Sequence, residues 1–477
     1  MSDGSPPILI IGAGPAGLTA AMELHKAGLH STVLEKDAVV GGLSRTVNYE
    51  GYRFDIGGHR FFTKVEEVNR FWRDVLGDEF RRNSRLSRIF FNNKYFDYPL
   101  KAANVLRGLG LSTSIAACLS YFRAHLQPRS PELNLEDYFV NRFGRVLHEI
   151  FFKTYTEKIW GIPCSGISSD WAAQRIRGLS FYGAVKSALF PGNGNKIKTL
   201  IDSFHYPRLG PGQMWETVEA RMNAAGNPVL KNADAVSLKH NGDYVISVDA
   251  DIEGERRTMA ANEVISSMPL RELVERLDPA APPEIIQAAR ALHYRDFLTV
   301  ALRIDQASLF RDNWIYIHDH SVQVCRIQNY GNWSPDLVPE PGRSCLGLEY
   351  FCFEGDALWA ADDRDLVDLA RKEIGQLGLA NPRKILGGVV VRMKKAYPVY
   401  DPGYKSRLKT IRDYLVRFRN LHPVGRNGLH KYNNQDHSMY TAMLTVRNLL
   451  GEKHDVWAVN SDCEYQEELV NDGRSAH

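Results

Sequence analysis

Two hydrophobic periods run through this chain, and its first 35 residues show both. Ile8–Ile11 is an unbroken apolar run of strand length behind Pro6 and Pro7, which cannot donate to an earlier ladder. It predicts a strand buried on both faces. A helical period starts at Pro15, whose fixed φ suits a first turn, and Gly28 closes it. Ser31–Leu34 reads as a second strand ending at Glu35. Val68, Phe71, Trp72 and Val75 then recur at helical spacing across Glu66–Leu76. Residues 87–98 read as a hairpin turning at Asn92-Asn93. Asn134, with Asp137 three residues on, is a candidate N-cap. Leu135, Phe139, Phe143, Val146, Ile150 and Phe151 behind it form a buried helical stripe. Residues 155–163 read as a helix end with glycine and proline stops. Residues 233–249 are strand-like, and 264–269 form a strand returned to the N-terminal domain. From 297 onward short strands dominate (297–304, Trp314–Ile317, 323–328, 346–353, 388–392) and predict an antiparallel sheet. The stretch 407–460 reads helix, short strand, helix, strand.

The predicted architecture is α/β. A discontinuous Rossmann-like domain takes 1–85, 204–275 and 407–477, a helical domain takes 100–203, and an antiparallel-sheet substrate domain takes 86–99 and 276–406. A chain of 477 residues is expected to divide into two or three domains.

Composition narrows the chemistry. Lys and Arg number 59 against 56 Asp and Glu, so no global field favours nucleic acid. The six cysteines form no C-x-x-C pair and no metal-ligand spacing, which predicts unbridged thiols, no bound metal and a cytoplasmic protein. The N-terminus enters the first strand without a signal-peptide pattern. Residues 108–122 are the longest weakly charged segment and are too short to span a bilayer. They read as a buried helix, with an interfacial helix as the alternative, so peripheral membrane contact is not expected. G-x-S-x-G and H-E-x-x-H are both missing, so the reaction should rest on a cofactor that the protein positions against a small-molecule substrate.

That cofactor's signature lies between the first two strands. Gly12-Ala-Gly14-Pro-Ala16-Gly17 matches G-x-G-x-x-G: Gly12 for the tight turn, Gly14 for close approach of backbone to a pyrophosphate, Gly17 for helix-on-strand packing. Glu35 stands where a carboxylate can accept from a ribose. Gly41-Gly42-Leu43-Ser44-Arg45 and Gly57-Gly58-His59 follow. Taken singly, these doublets are β-turns in a hairpin with Tyr52 and Phe54 alternating, and His59 is a turn histidine. Taken in order, they resemble the N-terminal part of the FAD-containing amine oxidase superfamily. The resemblance implies FAD, with Glu35 at the adenosine ribose and Gly41-Gly42, Ser44 and Arg45 along the pyrophosphate; Gly12, Gly14, Ala16, Gly17, Lys36 and Leu43 are implied as cofactor-binding too. It places Gly57, Gly58, His59 and Met268 about the flavin. Gly425-Arg426 and Asn434-Gln435-Asp436-His437-Ser438 resemble the superfamily's C-terminal flavin-binding turn and helix start.

Within the superfamily the chain is most similar to the UDP-galactopyranose mutases, particularly the longer eukaryotic form. The similarity rests on Trp160-Gly-Ile-Pro163 with Arg175 beyond it, Tyr98-Pro99, Phe204-His-Tyr-Pro207, the strand bearing Arg303, Trp314-Ile-Tyr316, Asn329-Tyr330 and Tyr397-Pro398. It implies that Arg175 and Arg303 hold a substrate pyrophosphate, as the planar guanidinium suits, and act with His59 at the reacting centre. Tyr98, Tyr155, Trp160, Tyr316, Tyr330 and Tyr397 would line the substrate. Without the resemblance, both arginines read as surface or salt-bridged groups and the tyrosines as partly buried rings. Two positions depart from the pattern: Lys101 replaces a glutamine at the uracil, and His430 replaces a tyrosine at the sugar phosphates. A different nucleoside diphosphate sugar or carrier therefore stays open. The implied reaction interconverts pyranose and furanose rings, with N5 of the reduced flavin as nucleophile at the anomeric carbon. NAD(P)H is the expected reductant and 193–198 a candidate lid. The alternatives are an FAD oxidoreductase of amine oxidase, protoporphyrinogen oxidase or desaturase type taking hydride from an apolar or amine substrate, and a flavoprotein whose FAD only stabilises an interaction surface.

Overall fold

The computed structural model describes residues 8–98, 100, 102–168 and 203–460; Lys101, Arg175 and the candidate lid at 193–198 lie outside them. The chain divides into two compact units. One takes the chain up to Arg81, then Tyr206–Phe297, then the stretch from Arg392; the other takes Arg82–His205 and Leu298–Val391.

The first unit is built on Ile8–Ile11, buried at every position. It pairs in parallel with Ser31–Leu34 on one side and Glu263–Ser266 on the other. Leu421–Pro423 and Val229–Leu230 extend the ladder, also in parallel, to five strands. An unbroken apolar run is what a strand covered on both faces needs, and the period of two distributes it. Ile8 and Ile10 enter one core with Leu18, Leu24, Trp72, Trp215 and Met439, from helices Pro15–Lys26, Glu66–Leu76, Gly212–Ala224 and Gln435–Leu449. Leu9 and Ile11 enter the other with Leu238, Val248, Ile285 and Ile411. This second cover is the four-stranded sheet of Ala233–His240, Val245–Ile252, Glu255–Ala260 and Leu277–Asp278, with helices Pro283–Arg290 and Tyr404–Leu415. The last described residues form a 3-10 turn at Val456–Ala458 where a strand was expected.

The second unit carries a seven-stranded sheet in the order Ile385–Pro398, Tyr294–Ile304, Ser344–Cys352, Arg326–Asn329, Trp314–Ile317, Ser87–Phe91, Lys94–Asp97. The hairpin turns at Asn92 and Asn93, both left-handed (φ 48° and 57°). The sheet is not wholly antiparallel: Trp314–Ile317 pairs in parallel with Ser87–Phe91. Those strands come from separate visits of the chain, so no hairpin fixes their polarity. Leu298, Val300, Leu302, Ile315, Leu346 and Leu348 form a core with Leu366, Ala370 and Ile374 of helix Asp363–Gln376. Alternation puts Arg303, Trp314, Tyr316, Arg326, Gln328 and Glu349 on the opposite face.

Three further expectations are corrected here. The helical stretch is not a separate domain: Phe151 packs on Phe96 (ring centroids 5.1 Å apart) and Tyr155 stacks on His318 (4.6 Å), so helices and sheet share one interior. Residues 276–297 and 392–406 belong with the first unit, which brings Tyr397 there. Helix Leu135–Leu147 is capped as expected, with Asp137 N donating to Asn134 Oδ1 at 2.9 Å, but Gly144 (φ +76°) breaks it. A π-turn follows at His148–Lys153, so the stripe slips: Leu147 and His148 are buried while Val146 and Ile150 are half-buried.

Helix Leu111–Leu126 reverses the expected burial. It covers Ser114, Ala117, Tyr121 and Ala124 and leaves its large aliphatic residues in solvent. The buried side packs closely on Leu135–Leu147, where a Cβ at Gly144 would sit 2.6 Å from Tyr121 N, so only glycine fits at that crossing. Among the described residues no helix is long and apolar enough to cross a membrane.

Candidate functional site

The carboxyl ends of four neighbouring parallel strands in the first unit stand in a row. They carry Gly12, Glu35, Ser267-Met268 and Gly425, the edge where open parallel sheets take their ligands. Gly12 adopts φ +97° and its N–H donates to Leu34 O at 2.7 Å. A Cβ on Gly17 would lie 1.8 Å from Gly12 O, so only glycine lets this helix start against the turn. Gly14 differs: a Cβ there would meet nothing closer than Gly42 Cα at 4.0 Å. The two glycines approach each other closely, since a Cβ on Gly42 would lie 3.5 Å from Gly14 Cα. Gly41 (φ +96°) donates to Ala13 O at 2.8 Å and ties the second glycine loop to the first. Gly42–Ser44 then makes one 3-10 turn with Ser44 buried and Leu43 half-buried.

Glu35 is clamped from both sides. Ala13 N–H donates to Oε2 at 2.7 Å and Asp37 N–H to Oε1 at 2.9 Å. Burial pushes its pKa up, and those two N–H groups oppose the rise. Lys36 is exposed, and Arg45 pairs with Asp37 at 2.8 Å. Gly57 (φ +91°) turns the chain after Tyr52–Asp55, and a ring nitrogen of His59 lies 2.8 Å from Ile56 O.

The other end of the chain closes the row. Gly425 N–H donates to Thr441 Oγ1 at 2.9 Å, and a Cβ at Gly425 would sit 3.0 Å from that of Ala16. Arg426 donates to Asn433 O at 2.7 Å and lies over the rings of Tyr397 and Tyr432 at 5.3 and 5.1 Å. Asn434 and His437 form a reciprocal capping box at the start of Gln435–Leu449. Asp436 and Ser438 are buried there, Gln435 half-buried, and Met268 is buried behind Ser267.

In the second unit, Tyr316 has its ring 4.7 Å from Tyr98 and 5.6 Å from Tyr155. Burial holds the Tyr155 phenol well above its ordinary pKa, so it stays protonated. Arg326 donates through Nε to Glu349 Oε2 at 2.5 Å, and Gln328 donates to Oε1 at 2.7 Å. Arg303 shares this face, beside Gly387, where a Cβ would stand 3.2 Å from Nη2.

The structure thus gathers Tyr98, Tyr155 and Tyr316 but removes three other substrate candidates to the interior. Trp160 is core, and Tyr330 lies under Gly347. His430 is wholly buried with its ring against Tyr294 (4.9 Å), and burial lowers its pKa to about 3, so it is neutral near pH 7. The resemblance carried ring types to these positions without their depth.

Two groups escaped the sequence reading. One is Arg326–Glu349–Gln328; a charged residue inside an apolar strand, as at Glu349, signals a buried partner. The other is Asp55, wholly buried, accepting from Tyr206 Oη and from Thr46 Oγ1 (3.0 Å), its pKa pushed up to about 7 by burial. Among the described residues no cluster of three His, Cys, Asp or Glu could hold a metal, and the five cysteines are unbridged.

Gly12, Gly14, Gly42 and Glu35 fit a dinucleotide: two close-approach glycines, a helix N-terminus for phosphates and an anchored carboxylate for a ribose. Residues 15–410 match the family of flavin containing amine oxidoreductases. The chain is 21% identical over 455 residues to coproporphyrinogen III oxidase of Bacillus subtilis (strain 168), covering 87% of this chain and 92% of that one. It is 24% identical over 312 residues to L-amino acid oxidase Bs29 of Bothriechis schlegelii, covering 60% and 58%. Among solved structures, reduced UDP-galactopyranose mutase superposes with a TM-score of 0.84 at 20% identity, covering 96% of this chain and 98% of that one.

Proposed function

This chain belongs to the flavin containing amine oxidoreductase family, and from that premise we propose that it is a redox-neutral mutase acting on a nucleoside diphosphate sugar. The observation that carries this reading is the composition of the polar sheet face in the second unit. Arg303, Arg326, Tyr98, Tyr155 and Tyr316 offer guanidinium forks and hydroxyls there. Such groups suit a diphosphate and a sugar; hydride removal from an apolar substrate asks for an apolar lining.

In this proposal the first unit holds FAD. Glu35 accepts from the adenosine ribose, and the backbone from Gly12 to Gly17, with Gly42, Leu43 and Ser44, approaches the pyrophosphate. His59, Gly57, Gly58, Met268 and the Gly425–Ser438 segment (Arg426, Asn434, Gln435 and Asp436 included) border the flavin, with Lys36 at the outer edge. When reduced, by NAD(P)H or another reductant, the flavin supplies a nucleophile for the anomeric carbon. The protein's own task is to hold the diphosphate while it leaves and returns. Arg303 does this, joined by Arg175; Arg326 is already neutralised by Glu349 and so orients more than it attracts. A well-placed donor of this kind is worth about 3 kcal/mol at a leaving oxygen. Tyr316 and Tyr155, protonated, donate to sugar or phosphate oxygens, and Tyr397 stands with Arg426 on the flavin side.

A second reading, net oxidation, is favoured by the near-complete coverage of an oxidase relative. One experiment separates them. The dithionite-reduced holoprotein is incubated without oxygen with UDP-galactopyranose and other nucleotide sugars, and products are resolved as pyranose or furanose. A furanose product formed only with reduced flavin supports the mutase. Oxygen uptake with an amine or porphyrinogen, and no isomer from any sugar nucleotide, overturns it.

A further inference from the structure

Helix Leu111–Leu126 of the second unit is turned inside out, with its small and polar residues packed inward and its large apolar ones in solvent. Leu111 is 80% exposed, Ile115 53%, Leu119 65%, Phe122 62% and Leu126 83%. At about 100° per residue these five side chains fall within an arc of about 80°, roughly opposite Ser114, Ala117, Tyr121 and Ala124. A contiguous apolar stripe of this kind marks an interaction surface.

Charge identifies what covers it. From Tyr98 to Pro131 the sequence contains no Asp or Glu, whereas Arg107, Arg123 and Arg129 fall within that span. Arg123 and His125 are exposed on the two flanks of the stripe, and Arg107 is exposed on the preceding helix Ala102–Leu109. Lys94, also exposed, donates to Gly108 O at 2.8 Å at that helix's end. Asp97 precedes the span; on its C-terminal side the nearest acids are engaged, Glu132 with Arg142, and Glu136 and Asp137 with Arg129.

We propose that this helix lies in the interface of an anionic lipid bilayer, its Leu/Ile/Phe stripe among the acyl chains and Arg107, Arg123 and Lys94 at the headgroups. An apolar face bordered by cations is the build of an in-plane helix. A second copy of the chain fits less well, because a two-fold contact would set the cations flanking this stripe against themselves. The inference is independent of the reaction catalysed.

The test uses the full-length, flavin-loaded protein with vesicles of phosphatidylcholine alone and of phosphatidylcholine mixed equally with phosphatidylglycerol. Co-sedimentation is read beside light scattering without lipid. The wild type is expected to bind the anionic vesicles at least tenfold more strongly than the neutral ones. Leu119→Ser with Phe122→Ser is expected to weaken that binding at least tenfold, with thermal midpoint and flavin content unchanged because both side chains are already in water. Arg107→Glu with Arg123→Glu should weaken binding to anionic vesicles alone. Wild-type binding that is absent, equal on both vesicles, or unaffected by the serine pair overturns the proposal. So does a lipid-free dimer that the serine pair converts to monomer, which would make the stripe a contact between copies.

Discussion

The glycine-lined edge of the first unit and the polar sheet face of the second are built in opposite ways. The first is made of backbone: Gly12, Gly17 and Gly41 are required by conformation or by contacts too close for a Cβ, and the one side chain that matters, Glu35, is gripped by two backbone N–H groups. The second is made of side chains, and Arg326, Gln328 and Glu349 meet only because the register of one antiparallel pair sets Arg326 opposite Glu349. A backbone site leaves a local trace in sequence, while a side-chain site needs the whole sheet in place.

Substitutions can break this contrast, and the largest effect should come at Gly17. Gly17→Val drives side-chain atoms into Gly12 O and should cost about 3 kcal/mol or more, leaving protein without flavin; the ratio of flavin to protein absorbance reads it. Gly14→Ala sharpens the point. With no protein atom nearer than 4.0 Å, it should leave the thermal midpoint of apoprotein unchanged while lowering flavin occupancy.

Next comes Glu349→Ala, which leaves Arg326 without the carboxylate it is bonded to. Breaking such a buried pair costs about 3–5 kcal/mol, visible in the urea midpoint, while flavin content in the folded fraction should hold. Flavin loss at unchanged stability would erase the division between the two regions.

Asp55 gives a pH test. Its folded pKa, about 7, stands above its ordinary value of 3.8, so the native state binds the extra proton and stability falls as pH rises between those values. The fall is at most about 4 kcal/mol. Asp55→Asn should flatten it, as urea midpoints at pH 5 and pH 8 would show; an unchanged slope places the titration elsewhere. The smallest effect is expected at Glu35→Gln, which keeps the shape and loses the charge-assisted bonds. Flavin affinity should fall about tenfold, by roughly 1.4 kcal/mol.

What the sequence made legible follows the same division. Ile8–Ile11, the glycine turn, the strand that ends before Glu35 and the helix cap at Asn134 were readable because each is a local requirement of backbone or strand burial. The parallel pairing of Trp314–Ile317 with Ser87–Phe91 was not, since nothing local sets the polarity of strands over two hundred residues apart. Nor was the depth of His430 and Tyr330. Helix Leu111–Leu126 is the clearest case: its apolar residues announced a face to be covered, but which side meets the protein depends on close packing at Gly144 of the next helix.

The central claim is the proposal that this flavin-dependent protein works without net redox on a sugar nucleotide. The most direct measurement counts electrons against products. Holoprotein is reduced once without oxygen, excess nucleotide sugar is added, and isomer formed is compared with reducing equivalents consumed. The account predicts many furanose molecules per flavin with the flavin still reduced at the end. Product limited to one per electron pair, or formed only as an acceptor is consumed, would contradict it.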